Sequence, residues 1–167
     1  MIDLEAELER HHGAAFGWAL SCCAWDRPSA EDALHAAYLK ILDGSAVFAR
    51  RSTFRTWLFG VIRRTAAELR RRRALARLLP LDRLAQRAST EPDPERAVIR
   101  SEASARLAAA LAALAERQRA LVHLVFYEDL SIAQAAAVLG VSVGTARTHY
   151  ERAKRRLRDL LGEGDTR

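Results

Sequence analysis

Cysteine is nearly absent from this chain, and its two copies, Cys22 and Cys23, are neighbours. Adjacent cysteines rarely bridge each other and cannot staple a fold, so a disulfide-built scaffold is excluded and a reducing compartment is expected. β-Branched residues are sparse, and neither half shows the alternation of a strand. Ala, Leu and Arg dominate instead, a composition that favours helix. Long apolar runs are missing too. The longest, "LAAALAALA" at 107–115, is far too short to cross a bilayer. The opening "MIDLEAELERHH" is acidic and lacks the apolar centre of a signal peptide. A cytoplasmic protein without membrane insertion is expected. No carboxylate pair, no nucleophile with a neighbouring base and no Gly-rich phosphate loop is found, so the reading is no enzyme and no cofactor. His11, His12, Cys22 and Cys23 hint at a metal. Adjacent residues on a helix point apart, however, and no spaced ligand pair completes a tetrahedral site, so no metal is expected.

What is present is apolar mass and positive charge. Half of the 167 residues are hydrophobic, enough for real cores, and the net charge is +6 with a pI near 10.1. That balance points to an acidic partner such as nucleic acid. Read for period, the chain falls into two helical blocks, residues 1–78 and 104–167, around a linker over 79–103. Three of the four prolines lie in the linker, and its centre, "STEPDPE", holds acids and no base. Such a segment cannot keep a continuous helix, although its Leu79, Leu81 and Leu84 remain able to dock. The expected fold is all-α: two small helical domains joined by a flexible linker, without internal repeats.

In the first block, Leu8, His12, Ala15, Phe16, Ala19 and Cys23 recur at helical spacing. After "WDRPSAED", Ser29 is placed to cap a second helix, with Asp32 in the reciprocal position; that helix runs to about Ile41 and stops near Gly44. Phe54, Trp57, Leu58, Val61, Ile62, Thr65 and Leu69 then mark one face of a long helix whose other side collects Arg55, Arg63, Arg64 and Arg70. The "RRRR" at 70–73 reads either as a solvated helix end or as a backbone clamp. Trp57 is spaced for the core, whereas Phe48 sits in a polar loop without a helical partner, which makes it the better candidate for single-strand contact.

In the second block, Leu107, Leu111 and Leu114 predict one amphipathic face, and Leu121, Leu124, Val125 and Phe126 the next. The stretch "LSIAQAAAVLGVSVGTARTHYERAKRRL" then reads as a helix-turn-helix. Ser131 caps a short helix with Gln134 as its reciprocal partner, and Ile132, Ala135, Ala136 and Leu139 face inward. Gly140 stands where a tight turn needs positive φ, and Ser142 caps a second helix with Ala146, Tyr150, Ala153 and Leu157 inside. Its other side shows Arg147, Thr148, Glu151, Arg152 and Arg155. Over Ser142 to Arg158 this stretch carries Arg147, Arg152, Lys154, Arg155, Arg156 and Arg158 against a single acid, Glu151. That is the layout of a helix that enters the major groove, with Arg147 and Arg152 able to pair with guanine and the flanking cations set for phosphates.

Taken alone, "TARTHYERAKRRL" resembles the recognition helix of LuxR-type regulators, which bind duplex DNA without being polymerase subunits. The rest of the chain argues for another family. "SAEDALHAAYLKIL" followed by "FRTWLFGVIRRTAAELRRRR" resembles region 2 of the extracytoplasmic-function sigma factors. "ALAALAERQRALVHLVFYEDLSIAQAAAVLGVSVGTARTHYERAKRRLRDLL" resembles their region 4, and the two come in the family's order. This resemblance implies a sigma factor that binds core RNA polymerase and directs promoter recognition, DNA melting and transcription initiation. It implies that Asp32, His35, Tyr38, Leu39 and Lys40 bind the clamp of the largest subunit. It implies that Val47, Phe48, Arg50, Arg51, Ser52, Thr53, Phe54 and Arg55 take the minus-ten element. Ser142, Thr145, Arg147, Thr148, Glu151, Arg152, Lys154 and Arg155 are assigned to the minus-thirty-five element by the same route. The implied partners are core RNA polymerase, including the flap of its second-largest subunit, promoter DNA and an anti-sigma factor, with the acidic linker threading towards the RNA exit path. The chain departs from the family's pattern at His35 and Ala36, where a Gln-acid pair is common, at Arg64, where an Asn is usual, and at His149 and Glu151. The last two leave the promoter sequence open.

Overall fold

The computed structural model describes residues 3–78 and 102–162. Helix α1 (Leu4–Cys22) starts where Asp3 accepts the Ala6 amide at 3.1 Å, with Glu5 and Glu7 beside the positive helix end. Its buried side is Leu8, Ala15, Trp18, Ala19 and Leu20, whereas His12, part of the expected stripe, is exposed. The face is centred on Trp18. Its indole N–H donates to the Phe59 carbonyl at 3.0 Å, and its ring stacks on Phe59 with centroids 5.9 Å apart. A large ring that satisfies its one polar atom in the core outweighs the smaller apolar contacts that the period alone suggests.

Helix α2 (Arg27–Leu42) begins earlier than a Ser29 cap predicts. Asp26 is the cap and accepts the Ser29 amide at 3.1 Å; Pro28 lies in the first turn, where a missing amide costs nothing. Ser29 and Asp32 do not cap. Each instead accepts an N–H from Arg73. The helix ends as expected, at Asp43 and then Gly44 with φ 79°.

Helix α3 (Phe54–Leu78) is capped by Thr53, whose Oγ1 accepts the Thr56 amide at 3.2 Å. Phe54, Leu58, Val61, Ile62 and Thr65 are buried as the period predicts, joined by Phe59 and Ala66, while Trp57 and Leu69 are half-buried. The three helices pack pairwise into one unit. Trp18, Leu34, Ile41, Leu58, Phe59 and Ile62 are all fully inside it. At about 1.5–3 kcal/mol for each large apolar side chain removed from water, this is a core able to hold the loop that precedes α3.

The second unit is built on α4 (Glu102–Ala112), α5 (Glu116–Val122) and α7 (Val143–Gly162). The face expected through Leu107, Leu111 and Leu114 is divided. Leu107 is exposed and Leu111 half-buried, and Leu114, past the end of α4, is buried with Val122 and Ala153. A π-helical turn, His123–Tyr127, follows α5 and interrupts the next expected face. The Glu128 amide donates to the His123 carbonyl at 3.1 Å, closing the wider turn. Leu121 and Leu124 stay buried, but Phe126 is turned out to 63% exposure and Glu128 is buried instead, its carboxylate 3.3 Å from His123 Nε2. Helix α6 (Ile132–Leu139) leads into α7 across Gly140.

The linker residues 79–101, including Leu79, Leu81 and Leu84, lie outside the described residues. Among the described residues there is no strand, and no helix is long and apolar enough to cross a membrane.

Candidate functional site

The helix-turn-helix is set by three local devices. Ser131 and Gln134 form the reciprocal cap: the Gln134 amide donates to Ser131 Oγ at 3.2 Å, and Gln134 Oε1 accepts the Ser131 amide at 2.8 Å. Gly140 adopts φ 64°, in which any side chain would be strained. Ser142 Oγ then accepts the Thr145 amide at 3.1 Å and starts α7. Ala135, Ala136 and Leu139 are buried and Ile132 half-buried, as expected from sequence; Val138 is buried as well.

On α7, Ala146, Tyr150 and Ala153 are buried and Leu157 packs beside them against the α4–α5 core. The other side is open. Ser142, Thr145, Arg147, Thr148, Glu151, Arg152 and Arg155 are all exposed along it. Thr148 Oγ1 donates back to the Gly144 carbonyl at 3.0 Å, so its hydroxyl hydrogen is engaged within the helix. Lys154 differs from its neighbours. Its Nζ lies 2.9 Å from Glu151 Oε1 and 5.1 Å from the centre of the Tyr150 ring, so much of its charge is already opposed. The surface can offer two guanidinium forks to base edges, with Arg156 and Arg158 exposed further along the helix.

In the first unit, the loop before α3 carries Val47, Arg50, Arg51, Ser52 and Thr53, all exposed, with Arg50 at φ 56°. Phe48 is not without a helical partner. Its ring meets Phe54 edge-on at 5.4 Å and Trp57 at 5.2 Å, because the loop folds back over the start of α3. Phe54 is itself buried, so it floors this cluster while Phe48 and Trp57 stay half-exposed. His11 of α1 stacks on Phe54 at 6.0 Å, a member that no periodicity signals because it comes from another helix. Arg55 is half-buried, its guanidinium 5.4 Å from the centre of the Phe59 ring.

The α2 residues are brought onto one side. Asp32, His35 and Leu39 are exposed at spacings of three and four, and Leu39 (65% exposed) continues into exposed Leu42. Leu42 was legible as the next residue of that stripe but was not singled out by sequence. Tyr38 is half-buried, its hydroxyl 3.2 Å from His12 Nδ1, and burial pushes its pKa up to about 12. Lys40 donates to Glu68 at 2.6 Å, which, with Arg72, holds the Glu68 carboxyl below its ordinary value. Asp32 is paired with Arg73 at 2.6 Å. The arginine run of α3 is thus neither simply solvated nor simply available: Arg72 and Arg73 already hold carboxylates.

Comparison with known proteins finds both units. The Sigma-70 region 2 model matches residues 8–75, and the Sigma-70 region 4 model matches residues 104–157. The ECF RNA polymerase sigma factor SigF of Caulobacter vibrioides is 35% identical over 127 residues, covering 72% of this chain and 67% of the relative. SigE of Mycolicibacterium smegmatis is 30% identical over 158 residues, but this chain spans only 61% of its length. Among solved structures, CnrH in complex with the cytosolic domain of CnrY has a TM-score of 0.60 at 26% identity, covering 98% of this chain and 89% of that one. The sigma factor RpoE from Bartonella quintana, solved with the anti-sigma factor NepR, has a TM-score of 0.72 at 24% identity over 99% of both chains, a likeness of fold. With region 2 and region 4 matched in order on two separate helical units, the chain belongs to the ECF sigma factors.

Proposed function

We propose that this protein is a sigma subunit: it joins core RNA polymerase, brings it to a restricted set of promoters, and helps open the DNA there. The observation that carries the reading is the match of region 2 and region 4 to two helical units of one chain. A duplex-binding regulator of the LuxR type accounts for the second unit alone and leaves residues 8–75 without a role.

Each surface has a task in this reading. The exposed α2 stripe of Asp32, His35 and Leu39, flanked by Tyr38 and Lys40, meets the clamp of the largest polymerase subunit. The second unit meets the flap of the second-largest subunit. Phe48 and Trp57 stack an unpaired base of the minus-ten element over the Phe54 floor, with Arg50, Arg51 and Arg55 near the backbone. Residues Val47, Ser52 and Thr53 shape the loop. The exposed side of α7 reads the minus-thirty-five element as duplex. The protein works in the cytoplasm as a regulatory subunit without catalytic groups or cofactor. An anti-sigma factor is its third partner, and the fold's likeness to a sigma factor solved with NepR is in keeping with that.

The test is co-elution of the full chain with purified core polymerase. Leu39 is exposed and contributes little to folding, so Leu39→Arg should keep the helical signal. Its affinity for polymerase should drop about tenfold or more, the cost of a lost interface anchor. Unchanged affinity would remove the α2 assignment, and no binding by the wild-type chain would remove the function.

A further inference from the structure

On the open side of α7 one residue has the opposite sign to its neighbours. Glu151 stands among Arg147, Thr148, Arg152 and Arg155, opposite the packed Ala146, Tyr150 and Ala153, with about half of its side chain exposed. A duplex lined with phosphates repels a carboxylate, so an acid on this face weakens binding unless it meets a donor.

Neutralising the groove-facing arginines does not account for it. Arg147 and Arg155 lie one turn away on either side, where ion pairs along a helix form readily. Among the described residues Glu151 pairs with neither; its partner is Lys154, whose Nζ lies 2.9 Å from Glu151 Oε1. Lys154 is itself drawn aside over the Tyr150 ring, 5.1 Å from its centre. An exposed pair of this kind adds little to stability. It does orient the carboxylate and offset its repulsion from phosphate. It also leaves Oε2 able to accept from outside the protein, since a carboxylate has room for about four donors.

Base edges differ in what they offer such an acceptor. In the major groove guanine presents two acceptors, and thymine an acceptor and a methyl group; adenine sets an acceptor beside its amino group. Cytosine alone presents a donor and no acceptor. We infer that Glu151 is a specificity-determining residue that accepts a hydrogen bond from the N4 amino group of a cytosine in the minus-thirty-five duplex. The inference rests on α7 reading that duplex, as proposed above. It gives the promoter a required cytosine, and so a guanine on the other strand whose O6 and N7 are open to an arginine.

The test selects from a randomised duplex library with holoenzyme assembled from the full chain and core polymerase. The wild-type chain should enrich a motif in which one position is cytosine and depends on Glu151. Glu151 is exposed and its ion pair lies on the surface, so Glu151→Ala should keep the helical signal. That protein should enrich the same motif with the one position no longer constrained. On duplexes of the wild-type motif, N4-methylcytosine at that position keeps the base pair but puts its methyl group in the major groove, where the unpaired N4 hydrogen was. In titrations, the affinity of the wild-type chain should then fall about tenfold or more, the worth of one hydrogen bond to a charged group, and that of Glu151→Ala should not change. A motif in which every cytosine stays constrained in the Glu151→Ala selection would overturn the assignment, as would a Glu151-dependent preference for any other base. Equal effects of N4-methylation on the two proteins would overturn it too. Tighter binding of Glu151→Ala to every sequence, with the motif unchanged, would make the acid a repulsive charge and nothing more. A wild-type chain that enriches no motif would remove the duplex reading itself, and this inference with it.

Discussion

At the scale of single residues, the same charge does different work according to its neighbours. Arg147 and Arg152 stand exposed opposite the packed Ala146, Tyr150 and Ala153. Replacing either with Ala should cost roughly 1–3 kcal/mol on promoter duplex and relax preference at particular base pairs. Arg156→Ala and Arg158→Ala should instead weaken binding alike on promoter and scrambled duplexes and lower the salt slope by about one each. Lys154→Ala should change that slope less, because Glu151 already opposes its charge at 2.9 Å. Binding isotherms across a salt series check all three; equal losses on both duplexes for every variant would make α7 a charged surface and no more. Glu68 gives a pH-dependent counterpart. Its folded pKa lies below the ordinary 4.5 because of Lys40 first and Arg72 second. The stability it adds is therefore present above pH 4.5 and lost as pH falls through the lower folded value. Glu68→Gln should flatten that acid limb in denaturant midpoints measured from neutral pH downward; an unchanged limb would mean that the Lys40 contact contributes nothing. Sequence alone showed which α7 side chains face out, since period settles that. It did not show that Lys154, Arg72 and Arg73 are already paired, since those partners depend on rotamer and on a second helix.

At the scale of elements, legibility follows how local the determinant is. The Ser131–Gln134 cap, the Gly140 turn and the Ser142 cap are each closed within a few residues, and all three form as the sequence implies. Ser131→Ala should therefore cost about 0.5–2 kcal/mol. Gly140→Ala meets no atom within 4 Å but must hold φ 64°, so it should cost about 1–2 kcal/mol from backbone strain alone. Chemical denaturation of residues 102–167 measures both; a neutral Gly140→Ala would show that the turn relaxes. The start of α2 was misplaced because two cap candidates, Asp26 and Ser29, lie three residues apart. Pro28 decides for the earlier one by tolerating only a first-turn position. The α1 stripe was misplaced because Trp18 is chosen by a partner on α3, Phe59, that no pattern within α1 discloses. The π turn after α5 has no periodic signature short of its own hydrogen bond from Glu128 to His123. The helical partner of Phe48 was the plainest miss: its ring rests on α3 because the chain reverses through Gly44 and Arg50, both at positive φ.

At the scale of the whole molecule, the all-α class followed from composition, and the family from two stretches in order. Neither helix-turn-helix nor arginine run identified the chain by itself. The joint placement did, because region 2 and region 4 are matched in that order on one chain. Residues 1–78 and 102–167 are expected to fold separately, each keeping its helical signal, since α1, α2 and α3 pack on one another and α4 and α5 both pack on α7; loss of helix in either fragment alone would show that they depend on each other. The central claim is tested most directly by run-off transcription with purified core polymerase on genomic promoter fragments. The account predicts specific transcripts from a small set of fragments only when the full chain is added. These should be lost with Leu39→Arg and with Arg147→Ala/Arg152→Ala, although both proteins remain folded. Specific binding of the wild-type chain to those fragments, with no transcript from any of them in the presence of core polymerase, would contradict it.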